Sequence, residues 1–206
     1  MPRPSPGIPS WTPRTAALAL VLTAPLALVG CQSAAGPQTA PDRLSRDDAG
    51  VTLASHGIET RTRIHRVHGR LPDARRKAVR AEVGRVVDRW WDAAYLGGDY
   101  PRSTFPAAFP GFTAAAEQRA RGDKALLTNE TQGAQIDSVT AKHRTVTVDV
   151  LATGRQARSV TAHFLLRFET TGEKAGTTTV RGRLFLTRHA GAWRIFGYDV
   201  AKGAQR

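Results

Sequence analysis

The strongest hydrophobic pattern in the chain is an apolar stripe between residues 73 and 96. The stripe positions recur mainly at spacings of three and four: Val79, Val83, Val86, Val87, Trp90, Trp91 and Ala94. This spacing places side chains on one face of an α-helix. Leu71-Pro72-Asp73 suits a first turn, and Gly97-Gly98 suits a left-handed cap at the other end. The pattern predicts an amphipathic helix that begins at Asp73 and ends before Gly97.

Residues 99–127 are interrupted by prolines. Three of them exclude one long helix: Pro101, Pro106 and Pro110. Ser103 and Thr113 are suitable N-cap residues, so we expect short helices over 104–109 and 113–121. The apolar side chains that would fold this segment over the first helix are Phe105, Phe109, Phe112, Leu126 and Leu127.

From residue 134 onward, apolar and polar positions alternate with the period of a β-strand. Four segments alternate in this way: 135–153, 157–170, 177–188 and 192–201. The short turns between them predict an antiparallel meander. Residues 58–71 mix β-branched residues with arginine, which is typical of an edge strand. Helices followed by a meander predict an α+β fold, in which a curved antiparallel sheet of four or more strands packs on the N-terminal helices.

The start of the chain has the pattern of an export signal. Residues 1–14 carry Arg3 and Arg14 without an acidic residue, and residues 15–29 are uncharged and apolar. This apolar run is shorter than the roughly 20 residues that cross a bilayer as a helix, and Pro25 interrupts it. We therefore expect a signal peptide over residues 1–30.

The apolar run ends in Leu28-Val29-Gly30-Cys31, which resembles the lipobox of bacterial lipoproteins. The resemblance implies lipidation of Cys31 and its release as the new N-terminus. Residues 31–50 are then a flexible tether, and residues 51–206 form one domain. The protein would be lipid-anchored on the extracytoplasmic face of the cell membrane. The alternative is an unused thiol behind an ordinary secretory signal.

Charge narrows the choice of partners. The formal net charge is +13 and falls to +11 without the leader, which holds Arg3 and Arg14. Outside the cytoplasm, the matching polyanions are anionic lipids and wall polymers. The basic run from Arg61 to Arg89 has no interleaved stacking aromatics, so we expect no nucleic acid partner. The abundance of arginine, alanine, glycine and valine also fits a GC-rich genome.

Several of these elements together resemble the NTF2-like, or SnoaL-like, superfamily. The resemblance covers residues 73–201 and rests on a helix ending in WWDAAYLGGDY, broken helical turns, long strands and a last strand WRIFGYDV. Actinobacterial envelope members, including Mce-associated and other lipoprotein relatives, are similar in this order of elements. The resemblance implies a cone with a pocket between helix and sheet, and a homodimer formed across the sheet. The residues expected at the pocket are Trp90, Tyr95, Trp193 and Asp199.

Enzymes of this superfamily use a pocket histidine or acidic residues as general acid and base. The candidates in this chain are His65, His68, His143, His163, His189, Asp149 and Asp199. Strict alternation puts His163 opposite the Phe164 face and puts Asp199 on the side of Trp193 and Ile195. Spacing does not bring a histidine to Asp199, and proton transfer needs hydrogen-bond reach. We therefore assign no catalytic residue.

Metal and cofactor sites are not indicated either. His65 and His68 fall on opposite faces of their strand, and lipidation would use Cys31, the only cysteine. The leading hypothesis is a non-catalytic envelope lipoprotein whose domain binds a protein partner or an apolar ligand. The alternatives are a SnoaL-like enzyme for a small extracytoplasmic molecule and an electrostatic docking module for anionic lipids or wall polymers.

Overall fold

The computed structural model of the chain describes residues 57–205. The expected signal peptide (1–30), the lipobox Leu28-Val29-Gly30-Cys31 and the tether (31–50) lie outside these residues. The described strands are β1 (Arg61–His68), β2 (Val139–Thr153), β3 (Gln156–Thr170), β4 (Gly176–His189) and β5 (Ala192–Gln205). The helices are α1 (Asp73–Trp91), α2 (Ala114–Gly122) and α3 (Lys124–Leu127), with a π-helical turn at Asp92–Leu96 and a 3-10 turn at Gly133–Gln135.

Helix α1 confirms the predicted apolar stripe. It begins at Asp73, and its buried residues are Val79, Val83, Gly84, Val86, Val87, Trp90 and Trp91. The π-helical turn continues it to Leu96, and Gly98 then adopts a left-handed backbone with φ of 83°. Among the described residues, no helix combines the length and apolarity needed to span a membrane.

The segment between α1 and the sheet differs from the prediction in one part. Thr113 is the N-cap of α2, as expected, and its Oγ1 accepts a hydrogen bond from the Ala116 N–H at 3.3 Å. The helix predicted over 104–109 is wrong, since residues 106–107 form a turn and the other residues of this stretch are irregular. Helix nucleation is unfavourable, and a six-residue stretch interrupted by Pro106 forms too few backbone hydrogen bonds to offset it. Phe105 and Phe109 are nevertheless buried.

The five strands form one sheet in the order β1-β2-β3-β4-β5. The antiparallel prediction is confirmed for β2 to β5 and wrong for β1, which pairs with β2 in parallel. After β1, the chain passes through the helices before it enters β2, so both strands run in the same direction. The sheet is therefore mixed, and β1 is an edge strand, as residues 58–71 predicted.

The core lies between α1 and one face of the sheet, here called the inner face. Val146, Val148 and Val150 of β2 are fully buried on this face, as their alternation predicted. Trp90 of α1 packs edge-on against Phe164 of β3, with ring centroids 5.4 Å apart. The opposite face of the sheet, the outer face, carries the polar positions of the same strands.

Candidate binding site on helix α1

A β-bulge in β5 separates Asp199 from the side chains with which it was expected to lie. Phe185 of β4 pairs with Gly197, but the next residue, Leu186, pairs with Ile195. Phe196 is the extra residue, and one extra residue reverses the alternation beyond it. The prediction that Asp199 shares a side with Trp193 is therefore wrong. Asp199 lies on the outer face and accepts a hydrogen bond from Arg183 Nη2 at 2.5 Å.

Trp90 and Tyr95 belong to the core. Both are 0% exposed, so no water-sized space adjoins either side chain. Their rings meet edge-on at a centroid distance of 5.7 Å, and the Tyr95 hydroxyl donates to the Leu126 carbonyl at 2.8 Å. Burial raises the pKa of Tyr95 well above its ordinary value. Neither residue lines an open pocket in the described part of the chain.

Trp193 is the predicted pocket residue that does border a cleft. It lies with Gly191 and Ala192 beside the C-terminal half of α1, around a cavity of about 240 Å³. Only 3% of Trp193 is exposed, so its ring forms the floor of the cleft. This cleft belongs to a longer depression along one flank of α1.

We call this depression the hairpin groove, because the ends of β3 and β4 face α1 across it. Its larger part is a cavity of about 640 Å³, and Glu82 lines both this cavity and the Trp193 cleft. The basic residues that line the two parts are Arg75, Arg85, Arg89, Arg158 and Arg188. The lining carboxylate is Glu82, and its Oε2 lies 2.9 Å from Arg188 Nη2.

The β1 groove lies on the opposite flank of α1, against the edge strand. This cavity of about 360 Å³ is lined by Arg63, Ile64, His65, Val67, Arg76, Lys77 and Arg80, without a carboxylate. Arg63 Nε donates to Thr147 Oγ1 at 3.3 Å, and Arg76 Nε donates to the Leu71 carbonyl at 2.9 Å. Lys77 and Arg80 form no ion pair with any described carboxylate.

The carboxylates of α1 neutralise only part of this charge. Asp73 lies 3.7 Å from Arg76 in the β1 groove, and Glu82 lies 2.9 Å from Arg188 in the hairpin groove. Asp88 binds Arg144, which is 8% exposed, with 2.9 Å between Oδ1 and Nη2. Arg144 also lies 3.3 Å from Asp92 Oδ1, and its Nε donates to Thr60 Oγ1 at 2.8 Å. The Thr60 hydroxyl in turn donates to Asp88. Since Asp88 faces this network, the groove cations other than Arg76 and Arg188 keep their charge available to a ligand.

A second polar cluster lies on the outer face and was not predicted as a group. His65 Nδ1 is 2.9 Å from Asp149 Oδ1, and His163 Nε2 is 3.3 Å from Asp149 Oδ2. Partial desolvation acts to raise the pKa of Asp149, but the hydrogen bonds and charges of His65 and His163 outweigh it and lower that pKa. The exposed position of His163, opposite Phe164, agrees with the prediction.

This outer-face cluster was missed because two long-range features create it. The parallel pairing of β1 brings His65 beside β2, and a register irregularity between Ile64 and Arg66 re-aims the intervening side chain. The three groups bind one another on the outer face at the β1 edge of the sheet, and of the three only His65 is among the residues that line the β1 groove. In the described range, no cluster of three or more His, Cys, Asp or Glu residues is arranged to hold a metal ion.

Residues far apart in sequence build the hairpin groove. The charged run of α1 was visible in the sequence, but Arg158 and Arg188 join it only because the β2–β3 turn and the end of β4 reach the same flank.

Comparison of the chain with models of protein families, with curated proteins and with solved structures finds no match.

Proposed function

We propose that this chain is a bacterial envelope lipoprotein whose domain binds an acidic component of the envelope without catalysing a reaction. The anchor is a lipid on Cys31, exposed after removal of a signal peptide over residues 1–30. Residues 31–50 then tether the domain on the extracytoplasmic side. Support for the anchor comes from the lipobox pattern and the apolar run before it.

The domain itself is proposed to be NTF2-like. The α+β architecture, with α1 against one face of a five-stranded sheet, is compatible with such a fold. The parallel edge strand β1 is an addition to the pattern that suggested the family. Envelope relatives of the Mce-associated type remain the proposed family context.

One observation carries the binding proposal: basic grooves flank α1 on both sides, and most of their cations have no carboxylate partner among the described residues. Unpaired cations in a concave surface focus positive potential and attract polyanions. Outside the cytoplasm, anionic lipids and wall polymers are the polyanions with which a tethered domain comes into contact.

A catalytic role has less support from the geometry. Asp199 pairs with Arg183 on the open outer face, and His163 pairs with Asp149 two strands further across the sheet. The nearest enclosed aromatic residues, Trp90 and Tyr95, belong to the packed core. A proton-transfer pair would need a shared substrate within hydrogen-bond reach, and the described side chains offer no such arrangement.

Assembly through the outer face is a second candidate function. Phe196 is 45% exposed, and its ring lies 6.3 Å from that of Phe185. Leu151 on the same face is 51% exposed. A second copy of this chain, or another envelope protein, would bury these apolar side chains between neighbouring ion pairs. Analytical ultracentrifugation of the intact protein and of Phe196→Ser distinguishes a dimer that the substitution dissociates from a monomer in both cases.

The anchor is tested by growing the producing bacterium with a labelled fatty acid. We expect the label on the intact protein and none on Cys31→Ser, because serine lacks the thiol that forms the thioether. Label on the variant, or none on either protein, would contradict the proposed anchor.

The binding role is tested by sedimentation of the intact protein with isolated envelopes, in low salt and in about 0.5 M salt. We expect retention that weakens steeply with salt. Retention insensitive to salt would exclude an electrostatic site, and the outer face would then become the leading candidate.

A further inference from the structure

The hairpin groove is long enough to hold several repeats of a polymer. Its α1 lining runs from Arg75 to Arg89. At 1.5 Å of rise per residue, these 14 steps span about 21 Å along the helix. A single small anion would occupy only a fraction of this length.

The cations of the groove come from three separate elements and face the same space. Arg75, Arg85 and Arg89 project from α1, while Arg158 and Arg188 belong to β3 and β4. Guanidinium groups bind phosphate through paired N–H donors, so such a row suits a chain of repeated phosphates.

Arg188 is already held in position at the middle of the row. Its Nη1 donates to the Gly191 carbonyl at 2.9 Å, and its guanidinium lies 5.0 Å from the centre of the Trp193 ring. Its other terminal nitrogen binds Glu82. Arg75, Arg85, Arg89 and Arg158 have no carboxylate partner within the described residues, so a ligand would not need to break existing ion pairs to reach them.

The shape of the groove selects a chain over a membrane surface. Its floor is formed by buried apolar residues, which are Val79, Val86, Ala157 and Trp193. A flat bilayer touches the rims of such a trough and leaves its floor empty, whereas an extended polymer enters it. Trp193 is too deeply buried to stack with a nucleobase, which argues against a nucleic acid strand.

From these features we infer that the hairpin groove binds an extended polymer with repeated phosphate groups, laid along α1. This inference rests on the proposed function and names the ligand class of one of its two grooves. Binding several phosphates on one chain multiplies weak contacts through their high effective concentration. The affinity therefore increases with polymer length until the groove is filled.

The test uses the intact lipoprotein in neutral detergent micelles, with inorganic polyphosphate of graded lengths and orthophosphate as probes. We expect long polyphosphate to bind at least about tenfold more tightly than triphosphate. If the affinity, expressed per mole of phosphate groups, is the same for polyphosphates of all lengths, the inference is overturned. Tighter binding to anionic phosphatidylglycerol vesicles, or to an oligothymidine strand, would overturn it in favour of a lipid surface or a nucleic acid.

Two charge-matched variants locate the site. Arg75→Gln/Arg158→Gln removes two cations from the hairpin groove, and Lys77→Gln/Arg80→Gln removes two from the β1 groove. We expect the first variant to weaken polyphosphate binding about tenfold and to reduce the slope of log affinity against log salt by about 1.5. The second variant should change affinity less than about threefold, since its charges act at a distance.

The outcomes separate this inference from the function on which it rests. Equal losses in both variants, or a larger loss in the β1-groove variant, would overturn the hairpin groove as the polymer site while leaving an acidic partner in place. If neither variant weakens retention on isolated envelopes, the proposed binding function fails as well. Circular dichroism of each variant confirms that a lost affinity is not a lost fold.

Discussion

Replacing Arg144 with methionine tests whether the buried ion network holds α1 against β1 and β2. Methionine keeps much of the aliphatic volume of arginine but removes the guanidinium. The substitution leaves Asp88 and Asp92 without the cation that lies 2.9 and 3.3 Å from them. Thr60 Oγ1 also loses its hydrogen bond from Arg144 Nε.

The expected cost is worked from the burial of the partners. Removing one member of a fully buried pair costs about 3–5 kcal/mol, because a charge is left without compensation. The Asp88 and Asp92 side chains are 32% and 37% exposed, so water solvates part of each carboxylate. We therefore expect Arg144→Met to lower the free energy of unfolding by about 2–3 kcal/mol.

Urea denaturation of the intact protein measures this change. Arg183→Met is the matched control, since Arg183 and Asp199 form a pair whose side chains are 50% and 60% exposed. Exposed pairs contribute about 0–1 kcal/mol, so the control should remain close to the parent protein. Equal losses of stability in both variants, or a loss below about 0.5 kcal/mol for Arg144→Met, would contradict a stabilising role for the Arg144 network.

Two further measurements test the pH dependence of stability that Lys202 causes and the close packing of the backbone at Gly182. Burial lowers the pKa of Lys202 from 10.5 to about 8, so the unfolded chain holds more protons than the folded chain between these values. The free energy of unfolding should therefore rise between pH 8 and 9.5 by about 1 kcal/mol per pH unit, and Lys202→Met should remove this rise in urea titrations. An equal rise in the variant would show that another group is responsible. Gly182 has φ of 152°, and an added Cβ would lie 2.0 Å from the Asp199 carbonyl oxygen, whereas nothing lies within 4 Å of one added at Gly203. Thermal denaturation should show a loss of about 2–4 kcal/mol for Gly182→Ala and little change for Gly203→Ala, and equal losses would contradict this packing.

Local pattern was sufficient for the elements that follow a single period. The stripe of α1 and the alternation of β2 to β4 arise because one face of each element packs against the core. The period of apolar residues in the sequence shows this directly. Thr113 was also recognisable, because an N-cap depends on its own side chain and the next turn. These features account for the α+β class.

Features that depend on distant partners could not be predicted in the same way. The bulge at Phe196 is fixed by how β5 pairs with β4, and it moves Asp199 to the outer face although strict alternation places it beside Trp193. The parallel direction of β1 depends on the path of the chain through the helices. The hairpin groove could not be predicted from the sequence either, because Arg158 and Arg188 lie beside α1 only in the folded molecule.

The binding proposal stands or falls with the dependence of envelope binding on the flanks of α1, which one sedimentation experiment measures. Intact protein in zwitterionic nanodiscs is sedimented with lipid-extracted envelope at low salt. Arg75→Gln/Arg80→Gln removes one cation from each groove, and Arg167→Gln/Arg181→Gln removes two from exposed positions of β3 and β4. We expect the groove variant to lose most of its binding while the control keeps it, and equal losses in the two variants would contradict a binding site on the flanks of α1.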